Sequence, residues 1–324
     1  MKTNEEILDL FENHLAQIQL PEEPSQLYAP IIYSMSGGGK RIRPTLLMLV
    51  CEAFGGKLED AMPAASAVEM FHNFTLLHDD IMDNAEVRRG KPSVYARWGE
   101  NVAILSGDAM MIYSYKLLQQ TPVEYLPAVL GCFNYTAMTV CEGQQVDMEF
   151  EHRTDVTMEE YMSMIDKKTA ALLAGATMIG AIQGGADTLS RQHLFSFATS
   201  LGLAFQLQDD LLDAYGTEAS LGKPIGGDII EGKKSFLMLT ALAKADPSTR
   251  KALQSLLENQ TLEAEAKIAE VLGIYNSLGV REIAEAEINA HFSRAMESLD
   301  SLEVEACRVE PLRELALSLL GRNK

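Results

Sequence analysis

Residues 63–83 read PAASAVEMFHNFTLLHDDIMD, and residues 205–213 read FQLQDDLLD. The first stretch is rich in Ala, Met, Phe and Leu and shows no strand-like alternation, so it reads as a long buried helix. It ends in the pattern D-D-x-x-D at Asp79, Asp80 and Asp83, and the second stretch ends likewise at Asp209, Asp210 and Asp213. Helix residues four apart share a face, so Asp79 and Asp83 point the same way, as do Asp209 and Asp213. Like charges at that spacing weaken a helix, and its C-terminal end disfavours anions. A single cluster of this kind reads as a solvated acidic helix end. Two of them, each followed by a loop rich in Gly, Lys and Arg, call for a compensating cation. All-oxygen donors suit Mg²⁺, which keeps waters and takes up substrate phosphates through one or two carboxylates. With no Cys or His in either set, Zn²⁺ is disfavoured. His78 adjoins the first cluster but points about 100° away, which makes it a packing or hydrogen-bonding residue.

Outward from these stretches the same periodicity continues. Ile7, Leu8, Leu10, Phe11, Leu15 and Ile18 form one stripe over residues 4–19. A helix over 25–35 stops at Gly37-Gly38-Gly39, and the next follows Pro44 and ends at Gly55-Gly56. Others are expected over 101–119, 124–150 and 189–215, with a capping box at Thr157 and Glu160 opening one that runs to Gln183. Residues 216–231 read as a long glycine-rich loop, and the C-terminal third as shorter helices broken at Pro247, Gly279 and Pro311. No alternating strand pattern and no linker stand out. The expectation is one all-α domain over residues 1–324.

Composition narrows the function. The chain is 47% hydrophobic and 23% charged, ordinary for a protein with a real core. Its net charge of −19 repels phosphate backbones and argues against nucleic acid as a partner. The four cysteines, Cys51, Cys132, Cys141 and Cys307, form no C-x-x-C pair, which fits reduced thiols. The first ten residues are polar and acidic with no signal pattern, and no apolar run reaches membrane-spanning length. A cytoplasmic protein is expected.

Against that acidic background the basic sets stand out. Gly37-Gly38-Gly39-Lys40-Arg41-Ile42-Arg43-Pro44 lets the backbone approach an anion ahead of a helix N-terminus, with Lys40 and Arg43 to grip a diphosphate. Arg88-Arg89-Gly90 follows the first aspartate cluster, and Lys223 and Lys233 follow the second. Lys167, Lys234 and Arg41 read as solvated side chains. Together the sets suggest a site for two anionic groups, one bridged by metal and one held by cations. It is not a P-loop, because the glycines lack the required spacing and no strand precedes them.

In order along the chain stand G-G-K-R-I-R-P (38–44), L-L-H-D-D-I-M-D (76–83), R-R-G-K-P (88–92), Glu142-Gly143-Gln144 with Asp147, Lys168-Thr169, F-Q-L-Q-D-D-L-L-D (205–213), G-K-P-I-G-G-D (222–228) and Gly232-Lys233-Lys234. This series resembles the trans-isoprenyl diphosphate synthases of the polyprenyl synthetase family over nearly the whole length. The resemblance implies a single large helical bundle around a deep central cavity, a homodimer, and three Mg²⁺ ions held by the two aspartate clusters and an allylic diphosphate. By motif, Arg88, Lys168, Lys223 and Lys233 would contact that diphosphate. Lys40, Arg43, His72 and Arg89 would hold isopentenyl diphosphate, and Thr169 and Gln206 would face the developing cation. Asp80 and Asp210 would act less directly, on a metal or its waters. Residues ahead of the first cluster close the cavity and set product length in such enzymes, which points to Phe71, Phe74 and Thr75 here; the alternative is that Phe71 and Phe74 are core residues and the floor lies on the next helix, near Tyr113. Bulky Phe74 with small Thr75 and no insertion in the first motif resembles C20 synthases, with C15 close behind. Two rival readings remain. A class I terpene cyclase would carry a mixed Asn/Ser/Glu second motif and would not need Lys40 and Arg43. A non-catalytic partner subunit would tend to lose one aspartate motif.

Overall fold

A computed structural model describes residues 1–217, 225–259 and 262–320. The elements are α1 (Asn4–Leu15), α2 (Ser25–Met35), α3 (Ile42–Ala53), α4 (Leu58–Met82), β1 (Val87–Arg88), β2 (Lys91–Pro92), α5 (Val94–Trp98), α6 (Glu100–Leu118), α7 (Leu126–Glu151) and α8 (Met158–Ile165). A π-helical turn (Asp166–Ala170) follows, then α9 (Ala171–Gly184) and α10 (Thr188–Tyr215). Beyond the undescribed stretch come α11 (Gly227–Glu231), α12 (Phe236–Lys244), α13 (Pro247–Glu258), α14 (Ala264–Leu278), α15 (Val280–Asp300) and α16 (Ala306–Leu320). The all-α class is as expected, and the Thr157/Glu160 capping box opens α8.

Three details differ from the sequence reading. Part of the 216–231 loop is helical as α11, opening and closing on left-handed Gly226 and Gly232. Pro311 lies inside α16 and does not break it. As the sixth residue of α16 it removes one intrahelical bond and crowds the carbonyl four residues before it, a cost that burial of Leu312, Leu315 and Ala316 outweighs. Among the described residues one sheet exists, a two-residue hairpin with Val87 opposite Pro92 and Arg88 opposite Lys91. Its turn residues Arg89 (φ 52°) and Gly90 (φ 72°) are both left-handed, the pattern that reverses a chain most tightly.

Tertiary contacts divide the chain into two compact units. The first comprises Met1–Ala137, Leu172–Phe195 and Ser298–Ser318. Its centre is α3, whose residues Leu46 to Cys51 are all fully buried, as befits a helix apolar on every side. There α4 packs along both α3 and α6. The second unit comprises Met138–Ala171, Ser196–Glu297 and Leu319–Lys324. Its core gathers Tyr161, Leu207, Phe236, Leu253, Val271 and Tyr275. Among the described residues, no helix is long and apolar enough to cross a membrane.

Candidate active site

In the first unit the aspartate cluster occupies the C-terminal turn of α4. Asp79 is half-buried and Asp83 exposed, while Asp80 is 3% exposed. The Arg88 Nε and Nη2 both donate to Asp80 Oδ1, at 2.8 and 2.5 Å. Burial pushes the Asp80 carboxyl up, against the opposing pull of Arg88. Asp80 therefore holds Arg88, and it is the flanking Asp79 and Asp83 that share the outward face.

The glycine-rich loop is fixed by a residue read from sequence as solvated. Arg41 is 4% exposed and left-handed, with φ 44°. Its Nε donates to Glu12 at 2.8 Å, its Nη1 to Glu69 at 2.7 Å and its Nη2 to the Met35 carbonyl at 2.7 Å. Asn73 Nδ2 donates to the Glu69 carboxylate at 3.0 Å and to the Glu69 carbonyl at 2.9 Å. A non-glycine residue in that conformation costs about 1–2 kcal/mol. Each hydrogen bond to a charged group returns about 1.5–3 kcal/mol, so the side chain decides the backbone. Solvation was the wrong reading because Glu69, an acid within the apolar stretch of α4, was not recognised as a buried partner.

Two residues along, Arg43 Nη1 donates to His72 Nε2 across 3.1 Å. Burial and then the Arg43 guanidinium drive His72 well below the usual imidazole range, so the ring is a neutral acceptor. Burial also lowers Arg43 itself to about 10, which leaves it cationic. Its buried Nε meets no acceptor among the described residues. Arg89 Nη1 donates to the Gly38 carbonyl, tying the hairpin turn to the glycine loop, and Lys40 is exposed beside it. His72 feels the charges of Arg41, Arg43, Arg88 and Arg89 together. Four guanidiniums thus gather near His72, two of them paired with carboxylates: Arg41 with Glu12 and Glu69, and Arg88 with Asp80. A cleft lined by Gly37, Asn73, Leu76, Asp80, Arg88 and Arg89 adjoins this cluster.

In the second unit the π-helical turn presents Lys168 and Thr169. Such a turn inserts one residue into the helical register and is frequent at functional sites. Lys168 Nζ pairs with Asp147 Oδ2 at 2.5 Å, within the motif quoted from sequence. Thr169 Oγ1 donates to Gln206 Oε1 at 2.8 Å, and Gln206 Nε2 donates to Asp210 Oδ1 at 3.0 Å. Tyr161 Oη and the Phe236 N–H donate to the other oxygen of Asp210. Burial raises Asp210 to about 6, against those three donors. Asp210, like Asp80, accepts from protein donors. Asp209 is half-buried, and Asp213 is 2% exposed with its Oδ2 accepting from the Asp228 N–H at 3.0 Å. Lys233 pairs with Glu231 at 3.0 Å just past α11. Lys223 lies outside the described residues. The other two basic residues read as solvated also have partners: Lys167 pairs with Glu142, and Lys234 donates to the Glu151 carbonyl.

The donor chemistry of the two motifs fits Mg²⁺: every donor is a hard carboxylate oxygen, which suits an ion that also takes water and phosphate oxygens.

The expected floor residues lie in an aromatic row. Phe74 meets Phe71 at 5.5 Å between ring centroids, Phe71 meets Phe133 at 5.4 Å, and Phe133 meets Tyr115 at 5.6 Å. Phe71 is fully buried and Phe74 half-buried, so Phe71 backs Phe74. The Thr75 hydroxyl donates to the His72 carbonyl at 2.8 Å. Besides Glu69, sequence reasoning missed Tyr161, for which no local signal exists because its partner lies 49 residues away.

The polyprenyl synthetase family model matches residues 24–275. The chain belongs to the polyprenyl synthetase family. It is similar to a short chain isoprenyl diphosphate synthase of Methanothermobacter thermautotrophicus, 42% identical over 300 residues, 92% of this chain and 91% of that one. A geranylgeranyl diphosphate synthase of Sulfolobus acidocaldarius is 35% identical over 90% of this chain and 88% of its own length. A crystal structure of a geranylgeranyl pyrophosphate synthase superposes with a TM-score of 0.94 at 38% identity, covering 100% of both chains. This family member is accordingly a prenyltransferase with the isoprenoid synthase fold.

Proposed function

We propose that the protein condenses isopentenyl diphosphate with an allylic diphosphate, head to tail, to give a short all-trans prenyl diphosphate, C20 before C15. The observation that supports this reading is the clustering of Arg43, His72 and Arg89 in a chain that also keeps two intact aspartate motifs. A cyclase needs no second diphosphate site, and a silent partner subunit has no need of both motifs. The family match takes in parts of both units, which supports reading the chain as one catalytic domain.

In this reading Asp79 and Asp83, and likewise Asp209 and Asp213, would bind Mg²⁺, and Asp80 and Asp210 would act less directly, on a metal or its waters. When bound, Mg²⁺ neutralises charge developing on the leaving diphosphate. Arg88, Lys168, Lys223 and Lys233 share that load. Lys40, Arg43, His72 and Arg89 hold isopentenyl diphosphate so that its double bond faces the ionising carbon. Asp210 takes the Gln206 N–H, which turns Gln206 Oε1 toward Thr169 and makes the threonine hydroxyl the donor. The remaining lone pairs of Thr169 Oγ1 and Gln206 Oε1 can then face the cation, as oxygen dipoles and not as nucleophiles. Among the described residues no side chain is an evident base, and the departing diphosphate is left to take the proton.

A homodimer in the cytoplasm completes the proposal. Leu105, Ile112 and Tyr135 remain 60%, 70% and 73% exposed, an apolar surface that a second copy would cover. Cys51, Cys132, Cys141 and Cys307 stand as thiols, which suits a reducing compartment.

Turnover tests the reaction: with Mg²⁺, isopentenyl diphosphate and a C5, C10 or C15 primer, each condensation should release one diphosphate and lengthen the primer by five carbons. No release with any primer overturns it. Arg41→Met tests the cation site. Losing the guanidinium strands buried Glu69 and frees the loop, at a cost to stability of about 3–5 kcal/mol. At a temperature where the variant is folded, KM for isopentenyl diphosphate should rise at least tenfold and KM for the allylic diphosphate by less than threefold. Equal rises in both would detach the loop from the isopentenyl site.

A further inference from the structure

His78 lies one residue before the first aspartate cluster, yet it points elsewhere. Its Nε2 meets the Ile104 carbonyl of α6 at 3.2 Å. The ring sits in a notch left by Gly107 on the same helix, where a Cβ would overlap Nε2 and Cδ2 and stand 3.3 Å from Cε1. The other side of the imidazole packs edge-on against Phe74, at 4.7 Å between centroids and 62° between planes. Phe74 and His78 are one turn apart on α4, so their side chains are stacked neighbours on one face. On its opposite side Phe74 rests on Phe71, which is itself fully buried against Phe133. The Phe74 ring is thus held between Phe71, packed in the core, and an imidazole anchored to the backbone of α6.

We propose that His78 is a specificity-determining residue: wedged into the Gly107 notch, it buttresses Phe74 and so fixes the length of the prenyl chain that the enzyme releases. This rests on the reading above that Phe74 closes the cavity. An aromatic ring with only one fixed neighbour can rotate about its Cα–Cβ bond into the space the other vacates. A floor that moves in this way admits additional five-carbon units. The hydrogen bond to Ile104 and the absence of a Cβ at residue 107 keep the imidazole out of that space.

The test is the product distribution with isopentenyl diphosphate and a C15 primer, read by mass after dephosphorylation and compared at equal extents of reaction, so that a slower variant is still informative. Phe74→Ala checks the underlying reading and should lengthen the main product by at least one five-carbon unit. His78→Ala should lengthen it in the same direction. Gly107→Ala, which evicts the imidazole from its notch, should also shift the distribution away from the parent length. In the double variant, alanine at residue 107 has no ring to displace, so products should match those of His78→Ala alone; this non-additivity reports the contact directly. If Phe74→Ala lengthens the product and His78→Ala leaves it unchanged, the buttress is refuted while the floor stands. If Phe74→Ala itself has no effect, the floor lies elsewhere and the inference falls with it. Should Gly107→Ala not fold, by helical circular dichroism, the two single variants at 74 and 78 still decide the matter.

Discussion

Alanine at Asp79 or at Asp209 is expected to lower kcat by roughly three orders of magnitude or more, with the helical fold intact. Removing one preorganised group that stabilises transition-state charge typically costs about 10²–10³ in kcat. A residue that holds a metal loses that ion's contribution as well. Stability should move little, and its sign is informative. Each aspartate sits in the last turns of its helix, one turn from a second carboxylate. Both arrangements are locally unfavourable, by a few tenths of a kcal/mol each. In metal-free buffer the variants should therefore unfold at the parent temperature or slightly above it. The parent should gain thermal stability from Mg²⁺ and inorganic diphosphate added together, and both variants should lose that gain. Rates within tenfold of the parent, or an undiminished gain, would remove that motif from the reaction.

The contrast between these aspartates and their middle neighbours shows what the sequence could tell. The two D-D-x-x-D patterns were legible because helical spacing alone puts their first and last members on one face. Asp80 and Asp210, two of the six proposed metal residues, look identical in sequence and differ only in what surrounds them. Asp80 takes both donors of Arg88, and Asp210 takes Tyr161, Gln206 and the Phe236 N–H. Those partners come from an eight-residue separation in one case and up to 49 in the other, beyond any periodicity argument. Arg41 teaches the same lesson. Its neighbours Lys40 and Arg43 share its charge, but Arg41 turns inward to buried Glu69 and reaches the half-exposed Glu12. Element boundaries were readable from caps and glycines, as at α2 and α8. Pro311 was misread because burial of its helix outweighs one missing hydrogen bond. The π-helical turn gave no warning, since Lys167-Lys168-Thr169 fits an ordinary helix equally well.

That turn is the subject of the second large effect. Gly143 on α7 lies directly against it: a Cβ there would overlap the Lys168 backbone N and stand 2.7 Å from the Lys168 Cα and 2.8 Å from the Lys167 carbonyl carbon. These are main-chain atoms, so the clash cannot be relieved by turning a flexible side chain. Gly143→Ala must push α7 and the turn apart by several tenths of an ångström or more. Lys168 would then move against Asp147, and Thr169 against Gln206, whose hydroxyl–amide distance is now 2.8 Å. Overpacking of this kind costs about 1–3 kcal/mol of stability. Displacement of positioned groups by about 1 Å can cost 10²-fold in rate. The expected result is therefore a kcat lowered about 100-fold in a folded protein, with KM for isopentenyl diphosphate within threefold of the parent. That substrate's proposed ligands, Lys40, Arg43, His72 and Arg89, are not on the turn. Gly131→Ala on the same helix is the control. A Cβ there meets nothing within 4 Å, and alanine favours a helix by up to about 1 kcal/mol, so this variant should be as stable and active as the parent. If Gly143→Ala keeps kcat within threefold while unfolding earlier, the close approach serves packing alone. The π-helical turn would then have no part in placing Lys168 and Thr169 for the reaction.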